Sequence, residues 1–271
     1  MDNTSKKKMP FLAHIESLRR HLIRSICGVI FGAITLIINK EILFDQVIFG
    51  PAKTNFITYR IFNMFGRMVG HQDLLILPQD LQIQNRQLFG QFNTYIWMSL
   101  LGGFILASPY VFYELWQFIK PALSAEEKRH SQGIISMASL LFFLGILFGY
   151  FVLCPMAIQF SYSFTISHLP QNIFDLSDYI STITQSTLAM GITFLFPLLV
   201  YSLTQIRLIT PKFLRTYRKH AFLVMLIIAS AITPGDILST IIAMLPLLSL
   251  YELSIYTASI VYKKIEKNIM K

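Results

Sequence analysis

The chain has 271 residues, of which 54% are hydrophobic and only 14% are charged. Soluble domains carry about 25% charged residues, so this composition excludes a water-soluble globular protein and indicates an integral membrane protein. The formal net charge of +9 then reports membrane orientation rather than nucleic-acid binding. No cleavable signal peptide is expected, because the N-terminal stretch is polar and no small-residue cleavage site follows the first apolar run.

Six membrane-spanning helices are predicted, since each needs roughly 20 apolar residues. The predicted spans are 22–43, 92–115, 132–155, 179–204, 218–233 and 237–262. A Thr-Pro-Gly-Asp turn at 233–236 separates the last two, because proline ends a helix and Asp is costly in hydrocarbon. Both of these helices are expected to be short, and a re-entrant hairpin that never crosses the bilayer is the alternative. The predicted fold class is an all-α integral membrane protein, with residues 1–271 as one domain.

Lysine and arginine predict the orientation of the spans, since both concentrate in cytoplasmic loops. Of the 23 basic residues, 18 lie in the N-terminal segment, the second and fourth loops and the C-terminal tail. Both termini are therefore predicted to be cytoplasmic. Residues 44–91 form the largest outer loop, which we expect to fold into short helices against the outer surface.

The N-terminal cytoplasmic segment, residues 1–21, is predicted to be amphipathic. Apolar side chains recur at helical spacing from this segment into the start of the first span, at Phe11, Leu12, Ile15, Leu18 and Leu22. An interfacial helix bound to anionic lipid explains the neighbouring arginines. It does not explain Glu16, because an acid gains nothing beside anionic headgroups. A lipid anchor and a binding surface are both open interpretations of this segment.

The loop between the second and third spans carries the tract EEKRH at 126–130. Ser124 and Glu127 have the spacing of a helix capping box. A carboxylate at the membrane border also suits a cationic ligand, and arginine fits best because its planar fork can bind a carboxylate through two hydrogen bonds. Capping and ligand binding are both compatible with Glu127.

Other polar residues of the spans have structural interpretations. Asp236 suits a cap of the last helix, Glu252 lies alone near the inner end of the last span, and Tyr150 suits the outer interface. The sequence contains no metal-ligand spacing, no nucleophile triad and no Gly-rich phosphate loop. We therefore expect no cofactor, no metal site and no enzymatic activity.

These residues, taken in order, resemble the TatC family, the multispanning receptor subunits of the twin-arginine protein translocase. The resemblance runs from about Phe11 to Tyr262 and includes Pro51 of the first outer loop. Four segments match motifs of the family. HIESLRRH at 14–21 resembles HLEELRRR, and SP at 108–109 with YELWQFIKPAL at 113–123 resembles SAP…YQxWxFxxPGL. GILFGYFVLCP at 145–155 resembles GxxFxYFxxxP, and TPGD at 233–236 resembles TPPD.

The resemblance implies a multi-pass protein of the bacterial inner membrane that binds the S/T-R-R-x-F-L-K signal of folded precursors at the cytoplasmic face. It implies a homo-oligomer within a receptor complex, single-span partners of the TatA/TatB type, and transport driven by the proton-motive force. The implied signal-binding residues are Glu127, Glu16, Leu18, Arg19, Phe118 and Pro121. The implied structural or partner-docking residues are Pro51, Pro109, Tyr150, Thr233 and Asp236.

Two positions depart from the family pattern. Ser17 stands where the motif has its second acid, and Leu195 stands where the fourth helix of the family carries a buried Glu or Gln. A small-molecule secondary transporter is one alternative function, although it would need internal repeats and a polar site at the midplane. A scaffold that organises other membrane proteins without transporting anything is the second.

Overall fold

The computed structural model describes residues 11–68, 81–122, 133–167, 172–233 and 237–269. The chain divides into two compact units. The first comprises the described parts of Met1–Asn39 and Ile96–Ser139, and the second those of Lys40–Tyr95 and Leu140–Lys271. The candidate residues of the N-terminal segment and of the second predicted span both belong to the first unit.

The described residues are mostly helical. In chain order the elements are α1 (Phe11–Ile38), a π-helical turn (Ile42–Ile48), α2 (Ile57–Met68), β1 (Ile83–Gln84), α3 (Gly90–Ile119), a 3₁₀ turn (Lys120–Ala122), α4 (Ile134–Phe148), a second π-helical turn (Gly149–Leu153), α5 (Cys154–Ser163), β2 (Phe174–Asp175), α6 (Leu176–Thr193), α7 (Phe196–Gln205), α8 (Pro211–Thr216), α9 (Arg218–Ile232) and α10 (Ile237–Ile269). The two short strands pair in parallel, with Ile83 opposite Phe174.

Five helical segments of the described chain are long and apolar enough to cross a membrane. They are Ile15–Ile38, Gly90–Ile119, Ile134–Ser163, Leu176–Gln205 and Ile237–Lys263. The remaining predicted span, the fifth at 218–233, corresponds to α9, which has 15 residues and is therefore about 22 Å long. A hydrocarbon core is about 30 Å thick, so six crossings remain a prediction.

The last helix differs from the expectation that both final helices are short. α10 has 33 residues and continues well past Glu252, which was expected to lie alone near the end of the span. That expectation was wrong, because the Glu252 carboxylate accepts a hydrogen bond of 2.8 Å from the Arg218 guanidinium, and both side chains are about half exposed. A charge paired in this way at the surface need not end a helix.

Small residues let α1 and α3 approach closely within the first unit. A Cβ atom placed on Gly32 would lie 2.9 Å from the carbonyl oxygen of Gly103, and one placed on Gly103 would meet the backbone of Val29 and Ala33. Close packing of glycines in this way is a common basis of helix association in membranes, where no hydrophobic effect drives the helices together. The contact fixes the two helices of the first unit against each other.

Pro109 lies inside α3, where it cannot donate a backbone hydrogen bond to the carbonyl of Ile105. The Ser108 hydroxyl is buried and donates to that carbonyl over 2.8 Å. Satisfying a freed carbonyl with a neighbouring side chain is how membrane helices tolerate proline. The Ser-Pro pair therefore lets α3 continue without interruption to Ile119.

The second unit is built on a core shared by α6, α9 and α10. Its fully buried members include Met190 on α6, Ala229 on α9 and Ala243 on α10. A second cluster packs α7 and α8 against the following part of α10, through Val200, Leu214 and Tyr251. The fourth predicted span is divided between α6 and α7 at Phe194 and Leu195, just before Pro197.

Candidate functional site

The three candidate residues of the N-terminal segment lie near the start of α1. Glu16, Leu18 and Arg19 are all exposed. The Glu16 carboxylate lies 3.9 Å from the Arg20 guanidinium, one turn further along, and both side chains are largely exposed. An ion pair this open to water contributes little stability, so Glu16 stays available to a ligand.

Phe118 and Pro121 lie at the C-terminal end of α3. Phe118 is half-buried in the last turn of α3, and Pro121 is exposed in the 3₁₀ turn that follows. Glu127, the acid expected to receive an arginine, lies outside the described residues, as does its capping partner Ser124. The described part of the candidate site therefore consists of the N-terminal part of α1 and the C-terminal end of α3.

A hydrogen bond to a buried carboxylate joins these two regions. Nδ1 of His21 on α1 lies 2.6 Å from a carboxylate oxygen of Glu114 on α3. Glu114 is only 3% exposed. Because a carboxylate can only accept, the imidazole Nδ1 carries the hydrogen of this bond. A buried charge must be paired to be tolerated, so His21 is required by Glu114 and holds α1 to α3 at this level.

Further groups converge on the same carboxylate. The hydroxyl of Tyr110, one turn earlier on α3, hydrogen-bonds to Glu114, and the positive charge of Arg24 on α1 acts on it as well. Phe118 lies one turn later, with its ring 6.4 Å from the His21 ring in an edge arrangement. Tyr110, Glu114 and Phe118 are spaced by four residues, so one face of α3 meets His21 and Arg24.

Sequence reasoning missed the pair of His21 and Glu114. Glu114 lies within the predicted second span and is surrounded in sequence by aromatic residues, and an acid in such a position is by default a candidate for a specific interaction. That signal was present in the sequence. Its partner could not be found there, because 93 residues separate the two side chains.

A second set of candidate residues meets in the other unit, around the backbone of residues 47–51. Tyr59, Tyr150 and Tyr179 donate their hydroxyl hydrogens to the carbonyls of Pro51, Val47 and Ile48. We call these three side chains the tyrosine cluster. Pro51 itself is fully buried. The structure thus brings together Pro51 and Tyr150, two of the residues that the resemblance implied to be structural or partner-docking.

Tyr59, the member of the tyrosine cluster that lies on α2 outside the long apolar segments, has a pKa altered by burial. The pKa of Tyr59 is raised well above its ordinary value of 10.0, mainly because the ring is buried away from water. The neutral phenol therefore persists and keeps donating to the Pro51 carbonyl, 2.8 Å away. In contrast, hydrogen bonds from the amide and hydroxyl of Ser177 lower the pKa of Asp175. Asp175 is the N-cap residue of α6.

Thr233 is buried at the end of α9. Its hydroxyl lies 2.8 Å from the Ala229 carbonyl and 2.9 Å from the hydroxyl of Thr240 on α10. The two threonines therefore join the last helices at their turn. Asp236, the remaining predicted residue, lies outside the described residues. Among the residues that the structure describes, no group of three His, Cys, Asp or Glu side chains is placed to hold a metal ion.

Comparison with known proteins gives consistent matches. A family model described as "Sec-independent protein translocase protein (TatC)" matches residues 13–246. A protein of that description from Blattabacterium sp. subsp. Periplaneta americana (strain BPLAN) is 58% identical over 261 residues, which cover 96% of this chain and 98% of the relative. Another, from Desulforapulum autotrophicum, is 32% identical and covers 96% of this chain and 87% of its own length.

Solved structures also resemble the chain. The crystal structure of the twin arginine translocase receptor TatC superposes with a TM-score of 0.68 at 28% identity, covering 92% of this chain and 99% of that chain. A second crystal structure, of the same receptor in DDM, gives a TM-score of 0.70 at 28% identity, with 90% and 99% covered. At these values the likeness extends over nearly the whole of both chains.

Proposed function

The chain belongs to the TatC family of Sec-independent protein translocase proteins, and from that premise we propose that it binds the twin-arginine signal peptide of folded precursors at its cytoplasmic face. The resemblance drawn from the sequence is thereby confirmed. The protein is a multi-pass component of the bacterial inner membrane and acts in protein transport rather than as a catalyst in the usual sense. The ligand and its site are the proposal.

The observation that carries the proposal is the junction of α1 and α3. His21 and Glu114 join the helices at 2.6 Å, which brings the exposed residues Glu16, Leu18 and Arg19 to the same end of the unit as Phe118 and Pro121. This surface combines an acid, an aromatic ring and apolar side chains. Such a mixture suits a peptide whose arginine pair is followed by apolar residues.

Electrostatics explain why recognition takes place at the membrane border. Arginine is costly to move into hydrocarbon, so the signal's arginines stay at the cytoplasmic face while its apolar part inserts. Glu127 receives the arginine pair, with Glu16 as the supporting acid, because bidentate bonds to a carboxylate are strong and specific for the guanidinium. With Ser17 in place of a second acid, Glu127 bears more of this recognition.

We further propose a six-span topology with both termini in the cytoplasm. The excess of basic residues on one side of the spans supports this orientation, and α9, although short, can cross where the bilayer thins or neighbouring helices cover it. TatA/TatB-type single-span proteins are the proposed partners, with Thr233 at a docking position. The proposed assembly is a homo-oligomeric receptor complex driven by the proton-motive force.

Replacement of Glu127 tests the proposal. The full-length protein in nanodiscs is titrated with a synthetic signal peptide containing S-R-R-x-F-L-K and with the same peptide carrying two lysines. Glu127→Gln weakens binding of the arginine peptide by about tenfold or more, since a charge-assisted bond is lost. Glu252→Gln, which alters an acid paired with Arg218, leaves it unchanged. Equal affinity of wild type and Glu127→Gln would refute the assigned site.

A cleft in the second unit bears on the alternative function of a small-molecule transporter. The cleft, of about 980 Å³, has a mixed lining of apolar, polar and charged residues, and the polar and charged ones include Lys40, Asp45 and Gln91. These residues flank the spans rather than occupy their middle, whereas a secondary transporter binds its solute near the midplane. Uptake of a solute by the purified protein in liposomes would favour that function over the one proposed.

A further inference from the structure

We propose that His21 is the positioning residue that sets the spacing between the two halves of the recognition surface, an inference that rests on the proposed function. One half is the exposed face of α1 with Glu16, Leu18 and Arg19. The other is the end of α3 with Phe118 and the following Pro121. His21 belongs to neither face, yet it contacts the helix that carries the second half.

His21 holds α3 at two points, one turn apart. Its Nδ1 donates to the Glu114 carboxylate over 2.6 Å, and its ring meets the edge of the Phe118 ring, with 6.4 Å between centroids. The polar contact fixes how far α1 is shifted along α3. The ring contact fixes the orientation of Phe118, which is itself a proposed signal-binding residue. Loss of the histidine therefore releases both helix register and side-chain orientation.

Glu114 does not itself suit direct binding of a signal arginine. The residue is only 3% exposed, and its carboxylate already receives hydrogen bonds from His21 and Tyr110, with the charge of Arg24 nearby. An incoming guanidinium would have to displace these partners and enter the helix interface. The buried acid therefore acts through His21 as a fixed attachment point, while recognition is left to exposed residues.

The attachment lies close to both halves. α1 is one helix from Phe11 to Ile38, so Glu16 is about 7.5 Å from His21 along the axis, at 1.5 Å per residue. On α3, Phe118 is one turn beyond Glu114. Binding sites lose affinity when their groups are misplaced by about 1 Å, so a junction within two turns of each half controls the affinity of both.

Two substitutions at one position separate the hydrogen bond from the bulk of the side chain. His21→Leu keeps volume and removes the donor, whereas His21→Asn keeps a donor at the place of Nδ1. In full-length protein in nanodiscs, His21→Leu raises the Kd for the S-R-R-x-F-L-K peptide about tenfold, and His21→Asn stays within about threefold of wild type. His220→Leu is the matched control, because that histidine is exposed and its ring lies 5.4 Å from the ring of Tyr217, away from α1 and α3 in the chain.

A distance measurement reports position independently of affinity. Spin labels are placed on cysteines at 15 and 119, which replace exposed isoleucines on the two helices, after Cys27 and Cys154 are changed to alanine. The distance distribution between labels is narrow in this background and broadens with His21→Leu but not with His21→Asn. Should His21→Leu fail to accumulate, Glu114→Gln replaces it, with a smaller change in the same direction expected.

The possible results separate this inference from the proposed function. A narrow distribution in His21→Leu, or a broad one with unchanged Kd, overturns the positioning role. If Glu127→Gln leaves binding unchanged while His21→Leu weakens it, the proposed arginine site is wrong but the positioning role stands. Weakened binding in both variants, with broadening in His21→Leu only, supports both.

Discussion

At the scale of single residues, main-chain carbonyls freed by irregular backbone are satisfied by side chains. Pro109 frees the Ile105 carbonyl, which accepts from Ser108. The tyrosine cluster donates to the carbonyls of Val47 and Ile48, at the end of the π-helical turn Ile42–Ile48, and to the carbonyl of Pro51 just after it. Because an unsatisfied polar group in an apolar environment costs more than a hydrogen bond contributes, these hydroxyls stabilise particular backbone carbonyls. The Val47 carbonyl also accepts from the amide of Gly50.

Removal of one hydroxyl from the tyrosine cluster tests this requirement. Tyr150→Phe deletes the donor to the Val47 carbonyl and lowers the free energy of unfolding by about 1 kcal/mol. Thermal unfolding in detergent measures the change. Tyr256→Phe is the control, since Tyr256 is 65% exposed. Equal destabilisation by both substitutions would contradict a specific role for the Tyr150 bond.

The raised pKa of Tyr59 predicts alkaline sensitivity. Because burial holds the pKa above its ordinary value of 10.0 in the folded protein, Tyr59 contributes stability that is fully present below pH 10 and declines as the pH rises further. Tyr59→Phe should therefore unfold at a lower temperature than wild type at pH 7, with the difference shrinking above pH 10. A difference that stays constant with pH would be the contrary result.

At the scale of elements, the close approach of α1 and α3 at Gly32 and Gly103 positions the candidate site. Gly103→Leu inserts a side chain where a Cβ already meets the backbone of α1, and overpacking of this kind costs about 1–3 kcal/mol or more. Ile30→Phe adds volume to α1 at a residue that is 47% exposed. We expect the first substitution to lower the melting temperature and weaken peptide binding, and the second to do neither. Normal peptide binding by Gly103→Leu would contradict the importance of this contact.

Individual elements show how far the sequence could be interpreted. Apolar run length located the long helices, because a membrane requires about 20 residues per span. It placed the last span at 237–262, close to the apolar segment Ile237–Lys263. The expectation that this helix is short was wrong, because α10 has 33 residues and continues past Glu252, which pairs with Arg218. Helical spacing also placed Glu16 and Leu18 on α1. The bond of His21 to Glu114 and the convergence of tyrosines on residues 47–51 depend on contacts between distant parts of the chain, which local patterns do not contain.

At the scale of the whole molecule, the topology is decided by α9. Five crossings place the C-terminus opposite the N-terminus, whereas six place both on one side. With Cys27 and Cys154 replaced, single cysteines at 6, 53 and 271 are treated with a membrane-impermeant maleimide in intact cells. We expect labelling at 53 alone, as the concentration of basic residues predicts. Labelling at 271 would show that α9 does not cross.

The measurement that tests the central claim most directly is a photo-crosslink between the protein and a precursor in whole cells. A photoreactive residue at position 127 or 118 is predicted to crosslink to a twin-arginine precursor, and one at position 53 is not. Replacing the signal's two arginines with lysines should abolish the crosslinks at both sites. Crosslinks that persist with the lysine signal, or that form from position 53 instead, would contradict recognition of the arginine pair between the N-terminal end of α1 and the C-terminal end of α3.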